Sequence, residues 1–112
     1  MPSVDVFAGQ LRGLGFDVSV NGSFVTFPFK IQSGSRSGQL VTVGIEVSGD
    51  FPANPPPGPH VRPHLGHPDG HVNPSTLGGE WEYWSRPFPS WPSTNRTASD
   101  YMAHVRVLFS QL

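Results

Sequence analysis

Four histidines, His60, His64, His67 and His71, stand four, three and four residues apart, with Asp69 between the last two and Asn73, Ser75 and Thr76 just beyond. Two chemistries can be written for such a set. Imidazole is the commonest metal ligand, and this spacing would line one face of a helix. Pro63, Gly66, Pro68 and Gly70 are interleaved with the histidines, and both residue types oppose a helix. The expectation is therefore no metal site and no cofactor, with a small His-rich metal-binding domain as the alternative. The second chemistry is acyl transfer to a hydroxyl, Ser75 or Thr76, with His71 or His67 as the base that a hydroxyl needs at neutral pH. Set against it, Ser-Thr pairs and an Asn before proline are ordinary turn residues.

These residues lie within Phe51 to Pro92, a stretch that holds eleven of the 13 prolines, every histidine except His104, and Trp81, Trp84 and Trp91. Proline lacks the backbone donor and fixes φ, so little helix or sheet is expected there. The stretch reads as a long, ordered, mostly irregular loop pinned by aromatic side chains, and loops of that length in a small domain are commonly functional. The chain has no cysteine, which excludes disulfides, thiolate zinc sites and a cysteine nucleophile. Its formal net charge is −1 and its seven basic residues are scattered, so no nucleic-acid partner is expected. No apolar run approaches membrane-spanning length and no basic-then-apolar start resembles a secretory signal, so no membrane partner and a cytoplasmic location are expected.

At 112 residues, 36% apolar, the chain suits a single domain with one modest core spanning 1–112. Val4, Phe7, Ala8, Leu11 and Leu14 recur at helical spacing, predicting a short helix from Ser3 to Leu14, capped by Ser3 and ended at Gly13 and Gly15. Phe16, Val18 and Val20 alternate and lead into Asn21-Gly22, a hairpin signal. A strand over 23–32 places Val25, Phe27, Phe29 and Ile31 inward, and Pro28 on the other face predicts a bulge or an unpaired side. A strand over 39–47 places Val41, Val43, Ile45 and Val47 inward, and His60 to Leu65, interrupted by Pro63, is a candidate fourth strand. Tyr101, Val105, Leu108 and Leu112 predict a helix from Thr97 to Leu112, opened by a capping box of Thr97 with Asp100. The sum is an α+β fold: an antiparallel meander of three to four strands with an N-terminal and a C-terminal helix packed on it.

Phe51-Pro52 followed by Asn54-Pro55-Pro56 resembles the aromatic-Pro-x-x-Pro-Pro turn of ubiquitin-conjugating enzymes and their non-catalytic relatives. His67-Pro68-Asp69 is similar to that family's His-Pro-Asn. Gly70-His71-Val72-Asn73 is similar to its Gly-x-apolar-Cys, and Trp81 or Trp84, Trp91-Pro92 and the helix from Thr97 fall where the family has Trp-x-Pro and its central helix. The resemblance implies a compact ubiquitin-conjugating-like fold that stops at the central helix, without the family's two further helices. Asn73 then stands where the nucleophilic cysteine would, and a carboxamide forms no thioester. Asp69 stands where an amide would stabilise the oxyanion, and an ionised carboxylate has no donor to offer. In the family the His67 position chiefly orders the loop by a hydrogen bond.

The resemblance therefore implies a non-catalytic, binding or accessory component of a ubiquitin-like conjugation pathway, with a bacterial conjugation or defence system as the expected setting. Its partners would be a ubiquitin-like protein, an activating enzyme or an active conjugating protein. Phe51, Pro52, Pro55, Pro56, Trp81, Trp84 and Trp91 are the expected binding residues. The alternative within the same fold is an acyl carrier that uses a hydroxyl of the 71–77 loop as an oxyester.

Overall fold

The computed structural model describes residues 3–112. Helix α1 (Ser3–Gly13) is followed by strands β1 (Ser19–Asn21), β2 (Phe24–Lys30), β3 (Leu40–Glu46), β4 (His60–Arg62), β5 (Val72–Pro74) and β6 (Glu82–Trp84). A single 3-10 turn (Trp91–Ser93) and helix α2 (Ala98–Ser110) complete the order. The six strands form one antiparallel sheet in the order β1-β2-β3-β4-β6-β5, so the chain runs as a meander through β4, crosses to the far margin, and returns to fill the gap. The fold is α+β as expected, but the sheet has six strands where three to four were predicted.

The extra strands come from the proline-rich stretch, which was expected to be mostly irregular. Prolines avoid the ladder there by position. Pro63 follows the last residue of β4, and Pro74 ends β5 at the margin of the sheet, where a missing donor leaves nothing unpaired. Pro28 sits within β2 for the same reason. The bonds flanking the β2–β3 ladder, Val47 N–H to Ser23 and Ile31 N–H to Gln39, put the odd residues of β2 in contact with β3. Pro28 nitrogen therefore aims away from β3, past Thr26, where pairing with β1 has already stopped.

Alternation sets the inner face. Val25, Phe27, Phe29 and Ile31 of β2 and its extension are buried, as are Val41, Val43, Ile45 and Val47, and all belong to one core with Phe7, Ala8 and Leu11 of α1 and with Tyr101, Met102, Val105, Leu108 and Phe109 of α2. Both helices thus cover the same face. Edge-on ring contacts join the layers, Phe7 to Phe51 at 5.1 Å and Phe7 to Tyr101 at 5.9 Å.

Local signals account for the ends of the elements. The α1 terminus is a Schellman motif: Phe16 N–H bonds Leu11 O, Gly15 N–H bonds Arg12 O, and Gly15 takes φ +96°. Thr97 Oγ1 accepts from Asp100 N–H while Thr97 N–H reaches Asp100 Oδ2 at 3.0 Å, the reciprocal cap expected from sequence. Three expectations need correction. Ser3 does not cap α1; its hydroxyl donates to the carbonyls of Gly49 and Phe51. The first hairpin is centred on Gly22-Ser23 rather than Asn21-Gly22, because Asn21 pairs with Phe24 and Gly22, at φ +61°, takes the first central position. The first strand is Ser19–Asn21, not 16–20, and Val20 shares a face with Val25 but is 39% exposed at the sheet margin.

Candidate functional site

The outer face of the sheet begins with glycine. Gly44 of β3 carries no side chain, and a Cβ built there would meet Leu77 Cδ1 at 2.6 Å and a Trp81 ring carbon at 3.2 Å. The loop between β5 and β6 lies over that gap. Beside it, His60 of β4 is packed edge-on to Phe24 at 5.1 Å and stacked on Tyr83 of β6 at 4.7 Å, following the register that pairs Gly44 with His60 and His60 with Tyr83. Arg62, two residues along, sets its guanidinium 4.9 Å from the centre of the Trp81 ring.

His60 is 5% exposed, and its Nδ1 lies 2.7 Å from Ser75 Oγ. Ser75 Oγ also accepts from Leu77 N–H at 3.0 Å. Burial holds the His60 imidazole below its ordinary titration range, against a smaller opposing pull from the Glu46 carboxylate, so the ring is neutral at neutral pH. Ser75 forms part of the wall of a groove of about 430 Å³ bounded by Val72, Thr76, Gly79 and Trp81. The sequence points to His71 or His67 as the partner of the hydroxyl; the structure pairs Ser75 with His60 instead. That contact depends on the order β4-β6-β5, which has no local signal in the sequence.

His67 is committed elsewhere. Its ring is 7% exposed and edge-on to Trp84 at 5.0 Å. Nε2 lies 2.9 Å from Leu108 O near the end of α2, and Nδ1 accepts from Asp69 N–H at 3.2 Å. Both nitrogens are occupied, which assigns the neutral tautomer with its proton on Nε2 and leaves the ring as a clamp between loop and helix. The Asp69 carboxylate, 4.0 Å from Nδ1, is exposed and faces a nitrogen that already accepts, so the two make no ion pair.

The remaining candidates spread out. His71 is exposed, in left-handed backbone at φ +56°, and its carbonyl accepts from Ser85 N–H and Asn73 Nδ2. Asn73 is exposed on β5 and Thr76 is exposed on the groove wall. His64 points its Nε2 at Gly79 O, 2.9 Å away. The rings of His60, His64 and His67 thus bond three different partners while His71 is engaged through its carbonyl, and among the described residues no group of three or more His, Asp or Glu converges as a metal site would.

Of the expected binding residues, Phe51, Trp84 and Trp91 are interior. Phe51 is 5% exposed, and Trp91 places Nε1 on Pro52 O at 2.9 Å. Pro56 is buried, Pro55 is half-buried, Pro52 is exposed, and Trp81 borders the groove. Glu82 is a further functional member of this region that no motif in the sequence marks. Glu82, 4% exposed, accepts at a single oxygen from Leu65 N–H (3.2 Å), Gly66 N–H (2.9 Å) and Trp84 Nε1–H (2.6 Å). It ties the turn before His67 to β6. An acidic residue flanked by two tryptophan-bearing positions was its only trace in the sequence.

A scan of protein-family profiles, a search of curated proteins and a search of solved structures each found no match to this chain. Among the described residues no helix is long and apolar enough to cross a membrane.

Proposed function

We propose that this chain is a ubiquitin-conjugating-like domain that, having no cysteine, carries no thioester of its own and serves as a binding or accessory component of a ubiquitin-like conjugation pathway. The observation that carries this reading is the state of the His67-Pro68-Asp69 turn. His67 holds the turn to α2 through both ring nitrogens, as a loop-ordering residue would, while Asp69 and Asn73 stand exposed with neither a thiol nor an amide donor where the family's chemistry needs them. The order of helix, meander, proline-rich loop and second helix, with both helices on one face, supports the same reading. The partners are a ubiquitin-like protein and its activating enzyme or active conjugating protein, reached through Pro52, Pro55 and the exposed loop around them. The setting that suits such a chain is a bacterial conjugation system in the cytoplasm.

The test is a titration of isotope-labelled protein with the ubiquitin-like proteins of its source genome, followed by backbone amide shifts. Saturable shifts confined to one surface are expected. Incubation with an activating enzyme and ATP yields no band that a reducing agent removes. Absence of saturable shifts with every such protein, or a thiol-sensitive adduct, refutes the proposal.

A further inference from the structure

The outer face holds a hydroxyl and a base in the arrangement of an activated nucleophile. His60 Nδ1 and Ser75 Oγ are 2.7 Å apart, within the reach that defines such pairs. The base sits behind the hydroxyl, shielded between Phe24 and Tyr83, and the hydroxyl borders the groove. Leu77 N–H donates to Ser75 Oγ, which leaves the hydroxyl proton free to lie on the line to Nδ1. Among the described residues the amide of Thr76, next in the chain after Ser75, donates to no acceptor, and an amide at that place can serve a developing oxyanion. Val72 and Trp81 supply an apolar shelf beside the hydroxyl.

We propose that Ser75, with His60 as its base, is a hydroxyl nucleophile for carboxylic esters or thioesters presented in this groove. Ser75 Oγ bonds to the acyl carbon as its proton passes to His60 Nδ1. The bond to the leaving alkoxide or thiolate breaks as that proton is returned to it. The acyl group stays on Ser75 as an oxyester, and a water that gives its proton to His60 then attacks and releases the carboxylic acid, restoring the hydroxyl. No oxidant or cofactor enters the balance. The proposal is independent of any ubiquitin-like partner.

A fluorophosphonate ester, which traps activated serines, tests it on the full chain. The expected result is one phosphonyl adduct mapped by mass spectrometry to Ser75, absent in Ser75→Ala, and formed at least about tenfold more slowly in His60→Gln, a typical loss for a general base. Labelling of the unaltered protein against pH gives a readout that needs no variant. The rate rises with pH through a midpoint below that of a free imidazole and is level at neutral pH, with Glu46 and Tyr83 the titratable groups near the ring and the Arg62 guanidinium held farther along β4 against Trp81. Labelling of Ser75 no faster than of the exposed Ser85, or an equal rate in a folded His60→Gln protein, overturns the proposal. So does a rate whose midpoint lies at or above that of a free imidazole.

Discussion

The two faces of the sheet are built on different rules. The inner face is mostly apolar and closed by two helices, and its polar members, Glu82 and His67, spend their hydrogen bonds on backbone amides, a carbonyl and an indole. The outer face has one covered patch, made by Leu77 and Trp81 over Gly44, and its polar members point at one another and at a groove. Stability is thus concentrated on one side and adjustable chemistry on the other, so that change on the outer face leaves the core unstrained.

The comparison breaks first with two tryptophans from the two faces. Trp84→Ala removes a fully buried ring lying 5.0 Å from both Phe109 and His67, and should cost about 3–5 kcal/mol in denaturant unfolding. Trp81→Ala, on the outer face, should cost about 1–3 kcal/mol by lost burial. Equal losses would mean that the faces contribute alike. The next effect in size is Glu82→Ala, which orphans the buried Trp84 indole donor and the part-buried amides of Leu65 and Gly66 and should cost about 2–3 kcal/mol, whereas Glu82→Gln keeps an acceptor and loses less. The drop should carry with it the hydrogen-exchange protection of the Leu65 and Gly66 amides.

Gly44→Ala sharpens the contrast from the other side. The new methyl group pushes against the tips of Leu77 and Trp81, which can move, so stability should change by less than about 1 kcal/mol. Trp81 fluorescence and Ser75 reactivity should both shift, and a large loss of stability would place the loop inside the core.

The smallest effect is that of pH. Burial, the larger cause in each case, lowers the titration of both His60 and His104; at His104 the Arg86 charge adds to it. The unfolded chain takes up protons near pH 6.5 while the folded chain does not, so both groups destabilise the fold as pH falls below about 6.5, down to their depressed folded values. A melting temperature that falls between about pH 7 and pH 5 is expected, with a shallower fall in His104→Phe, which removes a buried ring nitrogen lacking a partner.

How much of this was legible follows from element length. β2 and β3, at seven residues each, show alternation over more than three repeats, and their inward sets were read without error. α2 carried both its stripe and its cap. β4, β5 and β6 have three residues each, too short for a period to appear, and prolines at or beside two of them argue against strand by type though not by position. The candidate site suffers most, because it depends on those strands. His60 and Ser75 are fifteen residues apart and meet only because β6 enters between β4 and β5. His67 was read as a loop-ordering group from a local motif, and its bonding partners lie in that motif and in α2.

The margins of the sheet carry one more consequence. An unpaired strand is a template on which another copy of the chain can add itself, and continued addition makes a fibril. Here one margin is a three-residue strand ending in Pro74, and the other is the three-residue β1. Where β1 gives out and β2 is left bare, the exposed residues are Pro28, with no donor, and Lys30, the only lysine in the chain. A proline and a charge on the part of β2 that β1 leaves bare deny a newcomer both its hydrogen bond and its neutral landing site, which opposes the stacking of a β-rich chain on its own copies.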